Sequence, residues 1–290
     1  MLPSNIITND LLKTKVILLG VPYDKTASGQ KGTASAPFKI INQLQTQVED
    51  FDLFFQKSLS SKVKIGAYIL NEVKNLKPDL MVKKVFNATK KFLNQNKFVV
   101  LIGGEHTISL GAILAYKEKF KDLTVLQFDA HLDMRENTRD YEKEAKRIAH
   151  STVMKRAFDA QCFIVQVGIR SASKEEFNFL KEKKLLKNVI FAWDFLKINP
   201  SKILSLIPSK NVYLTIDVDA FSAGDFPHTG TPEPGGISWY KFMETMNLVF
   251  KKKNVVGLDV VEALPQKFTH YTEYSCAKLI YNLLGHKFLY

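Results

Sequence analysis

Cysteine is nearly absent: the 290-residue chain has two, Cys162 and Cys276. Two thiols give neither a disulfide framework nor the paired spacing of a zinc site, so both are expected to pack as small apolar groups. Long hydrophobic runs are missing too. Runs such as 16–21 and 98–102 fall far short of the roughly 18 residues that a membrane span requires. The first is also too short for a secretion signal, and Asp10 stands where a basic flank would be. Low-complexity tracts, long linkers and internal repeats are absent as well. The expectation is a single domain over residues 1–290, leaderless, cytoplasmic and without a membrane partner.

Acidic residues are the minority charge, with Lys+Arg 41 against Asp+Glu 29 and a net charge of +12. Such a balance can signal nucleic acid or another anionic surface. The cations are scattered, however, in clusters such as 181–184 and 251–253 that read as solvated helix faces. No basic segment interleaved with aromatics appears, so no nucleic-acid partner is expected. The acids are the more informative charges, because several fall inside apolar runs.

Short β-branched or aliphatic runs recur at 16–21, 63–69, 98–102, 123–128, 162–167, 188–192, 212–218 and 255–261. Amphipathic stretches follow at 79–96, 110–119, 151–160, 174–184, 200–207, 238–252 and 274–284. Strands alternating with helices of this length predict a parallel sheet covered on both faces. The near-continuous apolarity of the strands agrees with burial on both sides.

In such a sheet ligands bind beyond the carboxyl ends of the strands. Four of those ends carry acids or imidazoles. They are Gly103-Gly104-Glu105-His106, Asp129-Ala130-His131-Leu132-Asp133, Asp217-Val218-Asp219 and Asp259-Val260-Val261-Glu262. Spacing of i, i+2, i+4 aims Asp129, His131 and Asp133 the same way on an extended chain, and Asp217 with Asp219 repeats the pattern. Four carboxylates and two imidazoles gathered on one rim would repel and desolvate badly without a cation between them. The set His106, Asp129, His131, Asp133, Asp217 and Asp219 is too large for one tetrahedral zinc. It suits two divalent ions with bridging carboxylates, and mixed oxygen and imidazole ligation favours Mn²⁺. Two such ions lower the pKa of a shared water toward 7, which is a hydrolase's nucleophile. On spacing alone His150 reads equally as a proton shuttle or as an ordinary histidine. Glu262 reads equally as a carboxylate for a planar cation or as a solvated strand end.

These segments resemble the ureohydrolases, the arginase/agmatinase family, from about residue 16 to 284. The resemblance rests on Gly103-Gly104-Glu105-His106, the 128–133 and 215–219 segments, Thr229-Gly230-Thr231-Pro232-Glu233-Pro234-Gly235-Gly236 and the 257–262 segment. Pro22-Tyr23-Asp24, Gly32-Thr33 and Ala36-Pro37 add to it. It implies a three-layer α/β/α sandwich with a mainly parallel eight-stranded sheet and two Mn²⁺ per subunit. One ion would be held by His106, Asp129, Asp133 and Asp217, the other by His131, Asp129, Asp217 and Asp219. It further implies that His150 shuttles a proton, that Glu262 binds the guanidinium, and that Asp133 counts with them among the catalytic residues. The reaction would be hydrolysis of a guanidino compound to urea and an amine, in a homo-oligomer such as a trimer or hexamer.

Within the family, Asp133-Met134-Arg135, residues 149–154 and residues 168–171 look like agmatinases, so agmatine cleaved to putrescine and urea is the expected reaction of a polyamine-biosynthetic enzyme. Other guanidino substrates (4-guanidinobutyrate, arginine) or a catalytically retired binding protein are the alternatives. A single-metal deacetylase variant of the fold is a more distant one. Three departures bear on the pocket mouth: Ser222-Ala223 in place of an Asp-Pro pair, His228 after Pro227, and a long 133–150 stretch carrying Arg139, Lys143, Lys146 and Arg147. Arg135 is taken as substrate-binding. If it or Arg139 faces the pocket, a substrate with a carboxylate end is expected. His228 is expected at the surface.

Overall fold

The computed structural model describes residues 6–8 and 10–290. Nine strands form its central sheet: β1 (Ile7–Thr8), β2 (Val16–Val21), β3 (Ile65–Ile69), β4 (Phe98–Gly103), β5 (Leu123–Phe128), β6 (Phe163–Ile169), β7 (Val189–Phe191), β8 (Asn211–Asp217) and β9 (Asn254–Val261). Their spatial order is β1-β3-β2-β4-β9-β8-β5-β6-β7, and every pairing is parallel. Eight strands correspond to the apolar runs. The ninth is the two-residue β1, which adds to the outer edge of β3 and which no apolar run announces.

Alternation along the strands builds two cores. Val16, Leu18, Val100, Ile102, Leu214 and Ile216 pack on one face, while Ile17, Leu19, Val99, Leu101, Val125 and Tyr213 pack on the other. Helices α1 (Ala36–Thr46), α7 (Pro200–Leu206), α8 (Trp239–Lys252) and α9 (Tyr271–Phe288) cover the first face. Helices α2 (Pro78–Asn94), α3 (Thr107–Lys119), α4 (Val153–Asp159) and α5 (Lys174–Glu182) cover the second, and the four-residue α6 (Ala192–Phe195) follows β7. The result is the α/β/α sandwich expected. Helix α1 has no counterpart among the predicted stretches, although Pro37, Ile40 and Leu44 bury one face at helical spacing. Helix α3 starts three residues earlier than its polar pattern suggests. Its first turns (Thr107, Ile108, Ser109, Leu110) are buried all round, so amphipathicity cannot mark its start.

The sheet order matters for function. Strands β9 and β8 lie between β4 and β5, so the four strand ends that carry acids and imidazoles are consecutive neighbours. Close packing of these ends has a steric requirement at Gly104, where a Cβ would stand 2.1 Å from the carbonyl oxygen of Tyr23.

Candidate active site

Beyond the carboxyl end of β5 the chain does not stay extended, as the i, i+2, i+4 reading assumed. His131 still bridges Ser171 in parallel fashion, but Asp133 turns into the left-handed region at φ +52°. Its carbonyl oxygen accepts the main-chain N–H groups of Met154 (3.0 Å) and Lys155 (3.1 Å) at the start of α4, which holds the turn in place. Glu262, the residue after β9, is left-handed too, at φ +63°. Its N–H donates to Gly104 O at 2.8 Å. Non-glycine residues in this region store conformational strain that the surroundings must over-determine. Asp219 also departs from the strand pattern, because β8 ends at Asp217 and a 3₁₀ turn delivers Asp219 instead. Asp217 Oδ1 accepts the Asp219 N–H at 2.9 Å, so the first acid caps the turn that presents the second.

Six side chains meet here. His106 Nδ1 lies 2.9 Å from Asp133 Oδ2, 3.1 Å from Asp129 Oδ2 and 3.7 Å from Asp217 Oδ2. It is buried, yet makes a well-directed hydrogen bond to none of them: the nitrogen and the oxygens face a common centre. His131 Nδ1 lies 3.0 Å from Asp219 Oδ2 and 3.6 Å from Asp129 Oδ1. Two triads of ligand atoms result, His106/Asp129/Asp217 and His131/Asp129/Asp219, each compact enough to hold one ion and sharing Asp129. Asp133 joins the first through His106. The donors are oxygens and imidazole nitrogens with no thiolate, which fits borderline-hard divalent ions.

The electrostatics reflect this crowding. Burial first, and then the neighbouring Asp129 charge, push Asp133 up to about 7. Burial and the charges of Asp219 and Asp129 raise Asp217 well above the usual carboxylate range. Burial alone would lower His131, but Asp219 and Asp129 beside it push it up to about 12. Four carboxylates at this separation cannot all ionise in a dry site without positive charge among them.

A surrounding layer fixes the six. His106 Nε2 meets Thr215 Oγ1 at 2.9 Å, and that hydroxyl donates to Asp259 Oδ1 at 2.7 Å. Asp259 also receives the Tyr213 hydroxyl at 2.8 Å. Gln127 donates to Asp129 Oδ2 at 2.7 Å and is itself held by Gln166 at 2.6 Å. Ala130 N–H donates to Asp219 Oδ1 at 2.9 Å. Such outer partners set the tautomer and orientation of ligands. The sequence reading placed Asp259 at a strand end but not in this role, and it missed Thr215, Gln127 and Gln166. Its available signal was polar side chains inside otherwise apolar strands.

Glu105 is likewise a finding of the structure. Fully buried, it accepts Thr26 N–H at 2.8 Å and the Thr26 hydroxyl, and burial pushes its carboxyl up to about 7. Thr26 Oγ1 in turn accepts His150 N–H at 3.1 Å. His150 therefore stands in a fixed place, its Nε2 accepting the Ser28 N–H at 3.2 Å. Burial, then the charges of His131 and His106, lower it to about 4, so its imidazole is neutral at pH 7.

A cavity of about 320 Å³ opens over the triads, lined among others by Ser28, His131, Asp133, His150 and Asp217. Its outer wall is Arg135, Tyr141, Ser151 and Glu176. Glu262 does not line this cavity, nor is it a solvated strand end. It is 2% exposed, beneath the centre, with Oε1 accepting the His106 main-chain N–H at 2.7 Å. Arg135 does face the cavity, but it is not a free cation: Nη1 pairs with Asp140 and Nε lies 3.7 Å from Glu176 Oε2. Arg139 is exposed and off the lining. The positional condition for expecting a carboxylated substrate is thus met, by a guanidinium that two acids already engage. His228 is half-buried and also off the lining, with its carbonyl oxygen accepting Leu264 N–H at 3.1 Å.

A parallel α/β sandwich with two candidate carboxylate–imidazole ion sites sharing one aspartate at its central strand ends has the arrangement that a binuclear-metal hydrolase requires. The chain belongs to the arginase family, whose model matches residues 14–285. It is 32% identical over 281 residues to the N(1)-aminopropylagmatine ureohydrolase of Synechocystis, covering 93% of this chain and 88% of that protein. To the agmatinase of Bacillus cereus it is 30% identical over 262 residues, covering 87% and 84%. The agmatine ureohydrolase of Thermoplasma volcanium superposes with a TM-score of 0.84 at 25% identity, covering 99% of this chain and 94% of that one. The chain is accordingly an agmatinase-like hydrolase of guanidino compounds. None of its described helices is long and apolar enough to cross a membrane.

Proposed function

We propose that the chain hydrolyses a guanidino compound with a cationic tail, agmatine or its aminopropyl derivative, to urea and the corresponding amine, using two Mn²⁺ ions. The observation that carries the tail assignment is the pairing of Arg135 with Asp140 and Glu176, which leaves the outer wall of the cavity without an uncompensated positive charge. A carboxylate tail would have to break that pair, whereas an ammonium meets the Glu176 carboxylate on the cavity wall. The similarity to both an N(1)-aminopropylagmatine ureohydrolase and an agmatinase supports the same class.

His106, Asp129, Asp133 and Asp217 would hold one ion, and His131, Asp129, Asp217 and Asp219 the other. When bound, the pair supplies a nucleophilic water at neutral pH. Around it the protein's own groups divide the work. Glu262, off the cavity lining, acts as a positioning residue: its Oε1 accepts the His106 main-chain N–H and so fixes the imidazole that would hold the first ion. Neutral His150, held by Ser28 and Thr26, takes up a proton and delivers it to the departing amine as the carbon–nitrogen bond breaks. Asp133 holds its carboxylate at the cavity floor through the left-handed turn.

The test is urea release by manganese-loaded protein offered agmatine, N(1)-aminopropylagmatine, 4-guanidinobutyrate and arginine side by side. The expected outcome is a higher kcat/KM for the two amines than for either carboxylated compound. Preference for 4-guanidinobutyrate or arginine would overturn the tail assignment while leaving the hydrolase intact. Silence on all four with two metals bound would overturn the activity itself.

A further inference from the structure

The opposite, amino-end rim of the sheet bears a feature that hydrolysis does not use. A cleft of about 250 Å³ is lined by Lys15, Lys97, Lys119 and Lys287. A second, of about 670 Å³, shares Asn254 and Lys287 with the first and adds Lys210 and the three lysines that end α8, Lys251–Lys253. No aspartate or glutamate lines either cleft. The lysine ion pairs among the described residues involve Lys13, Lys90, Lys146, Lys155, Lys241 and Lys278, none of which is in this group.

These lysines are also unusually fixed. Lys97 Nζ donates to Leu12 O at 2.8 Å and to Thr14 O, and Lys119 Nζ donates to Leu93 O at 2.6 Å. Lys253 Nζ donates to Ile207 O (2.6 Å) and Ser209 O (3.0 Å), and Lys287 Nζ to Val255 O (2.8 Å). An ammonium has three donors, so each keeps one or two for a ligand. Their main-chain tethers have already removed much of the side-chain freedom that binding would otherwise cost. Lys15 Nζ stands 5.3 Å from the Phe288 ring centroid and Lys251 Nζ 4.8 Å from that of Tyr290, a ring 58% exposed. Crowding has a visible effect: burial and the charge of Lys15 lower the pKa of Lys287.

We propose that this continuous groove binds a linear phosphate chain, of the kind a single-stranded nucleic acid or inorganic polyphosphate presents. Two adjoining shallow clefts that share Asn254 and Lys287 offer one extended track of cations to a polyanion, and Lys251 beside the exposed Tyr290 ring matches the elements that grip single strands. The absence of a contiguous basic and aromatic segment does not count against it. The lysines come from six separate stretches of chain that only the fold brings together.

The test titrates manganese-loaded protein, with free metal in excess, against a labelled oligothymidylate, against inorganic polyphosphate and against anionic vesicles of phosphatidylserine and phosphatidylcholine. Engagement of four to six lysines predicts a slope of log K on log salt of about −3 to −4 between about 50 and 200 mM. The triple variant Lys15→Gln/Lys251→Gln/Lys252→Gln should flatten that slope by about 2 and lose about tenfold or more in affinity at low salt. The matched variant Lys181→Gln/Lys183→Gln/Lys187→Gln, with the same net charge, should bind as the parent does. Far-ultraviolet spectra and metal content report that each variant is folded. Binding of both phosphate chains supports the groove as a reader of charge, and binding of oligothymidylate alone supports it with nucleic acid as the ligand. Four outcomes would overturn it: no binding at low salt, binding unchanged by the first triple, equal weakening by the second, or capture by anionic vesicles only.

Discussion

The two rims of one sheet show opposite solutions to the same problem of like charges brought close. On the carboxyl-end rim the charges are acids, buried and crowded: Asp133 rises to about 7 and Asp217 well above the usual carboxylate range. On the amino-end rim they are lysines, spread over a longer groove and tied one by one to main-chain carbonyls. Helix polarity explains part of the division. In this architecture helices end at the amino-end rim, where their last carbonyls carry partial negative charge and attract ammonium groups. Lys119 bonded to Leu93 O in the last turn of α2 and Lys253 bonded to Ile207 O at the end of α7 are two such pairs. The acids have only two imidazoles, His106 and His131, to set against four carboxylates, and the strained backbone at Asp133 and Glu262 adds to their cost. One rim ties its charges singly to main-chain carbonyls; the other turns them toward a common centre.

The sharpest way to break the comparison is at the aspartate both triads share. Asp129→Asn removes one charge from each candidate ion site at once. Removing one member of a buried charge set costs about 3–5 kcal/mol, and a loss of that size in ion binding is on the order of 10²–10⁴ in metal affinity. Metal analysis after gel filtration should find fewer than one ion per chain, and urea release should be lost. The apo protein's melting temperature should fall, because His106 and His131 hold Asp129 ionised and its loss leaves two buried imidazoles short of a counter-charge. A variant that keeps two ions would dissolve the two-triad description.

A smaller effect is expected one layer out. Thr215→Val keeps the shape of the side chain while removing the link from His106 Nε2 to Asp259. Loss of such an outer partner lowers metal affinity by about 10–100-fold. Urea release titrated against Mn²⁺ should therefore need more metal and recover at saturation. Failure to recover would mean that Thr215 acts on the reaction and not on the ligand.

How much of this was legible before the structure differs between the rims. Apolar runs located eight of nine strands, and polar residues closing four of them located the acids and imidazoles, because a charge inside a strand buried on both faces is conspicuous. The backbone at Asp133 and Glu262 was not legible, since left-handed turns at non-glycine residues are imposed by tertiary contacts such as the α4 cap on Asp133 O. Thr26 and Glu105, 79 residues apart, meet only through the fold. Arg135 could be read as pocket-facing, but its neutralisation depends on Asp140 and on Glu176 from α5. The lysine groove was least legible of all. Lys251–Lys253 looked like a solvated helix face, and nothing local links them to Lys15 or Lys97.

The mildest prediction tests whether lysines stabilise their rim. Lys253→Met keeps the aliphatic stem and deletes two charged donors to Ile207 O and Ser209 O at the end of α7. The carbonyls can turn to water, because Lys253 is only half-buried. The loss is therefore near the modest end for a charged hydrogen bond at a helix terminus, about 1 kcal/mol. In a chain of this size that is a fall of about 2 °C in melting temperature, with two Mn²⁺ still bound. The effect should shrink in high salt, as an exposed charge–dipole contact does. A rise in stability would show that mutual repulsion among the lysines outweighs their carbonyl tethers, and the amino-end rim would then carry its charge at a cost, as the other rim does.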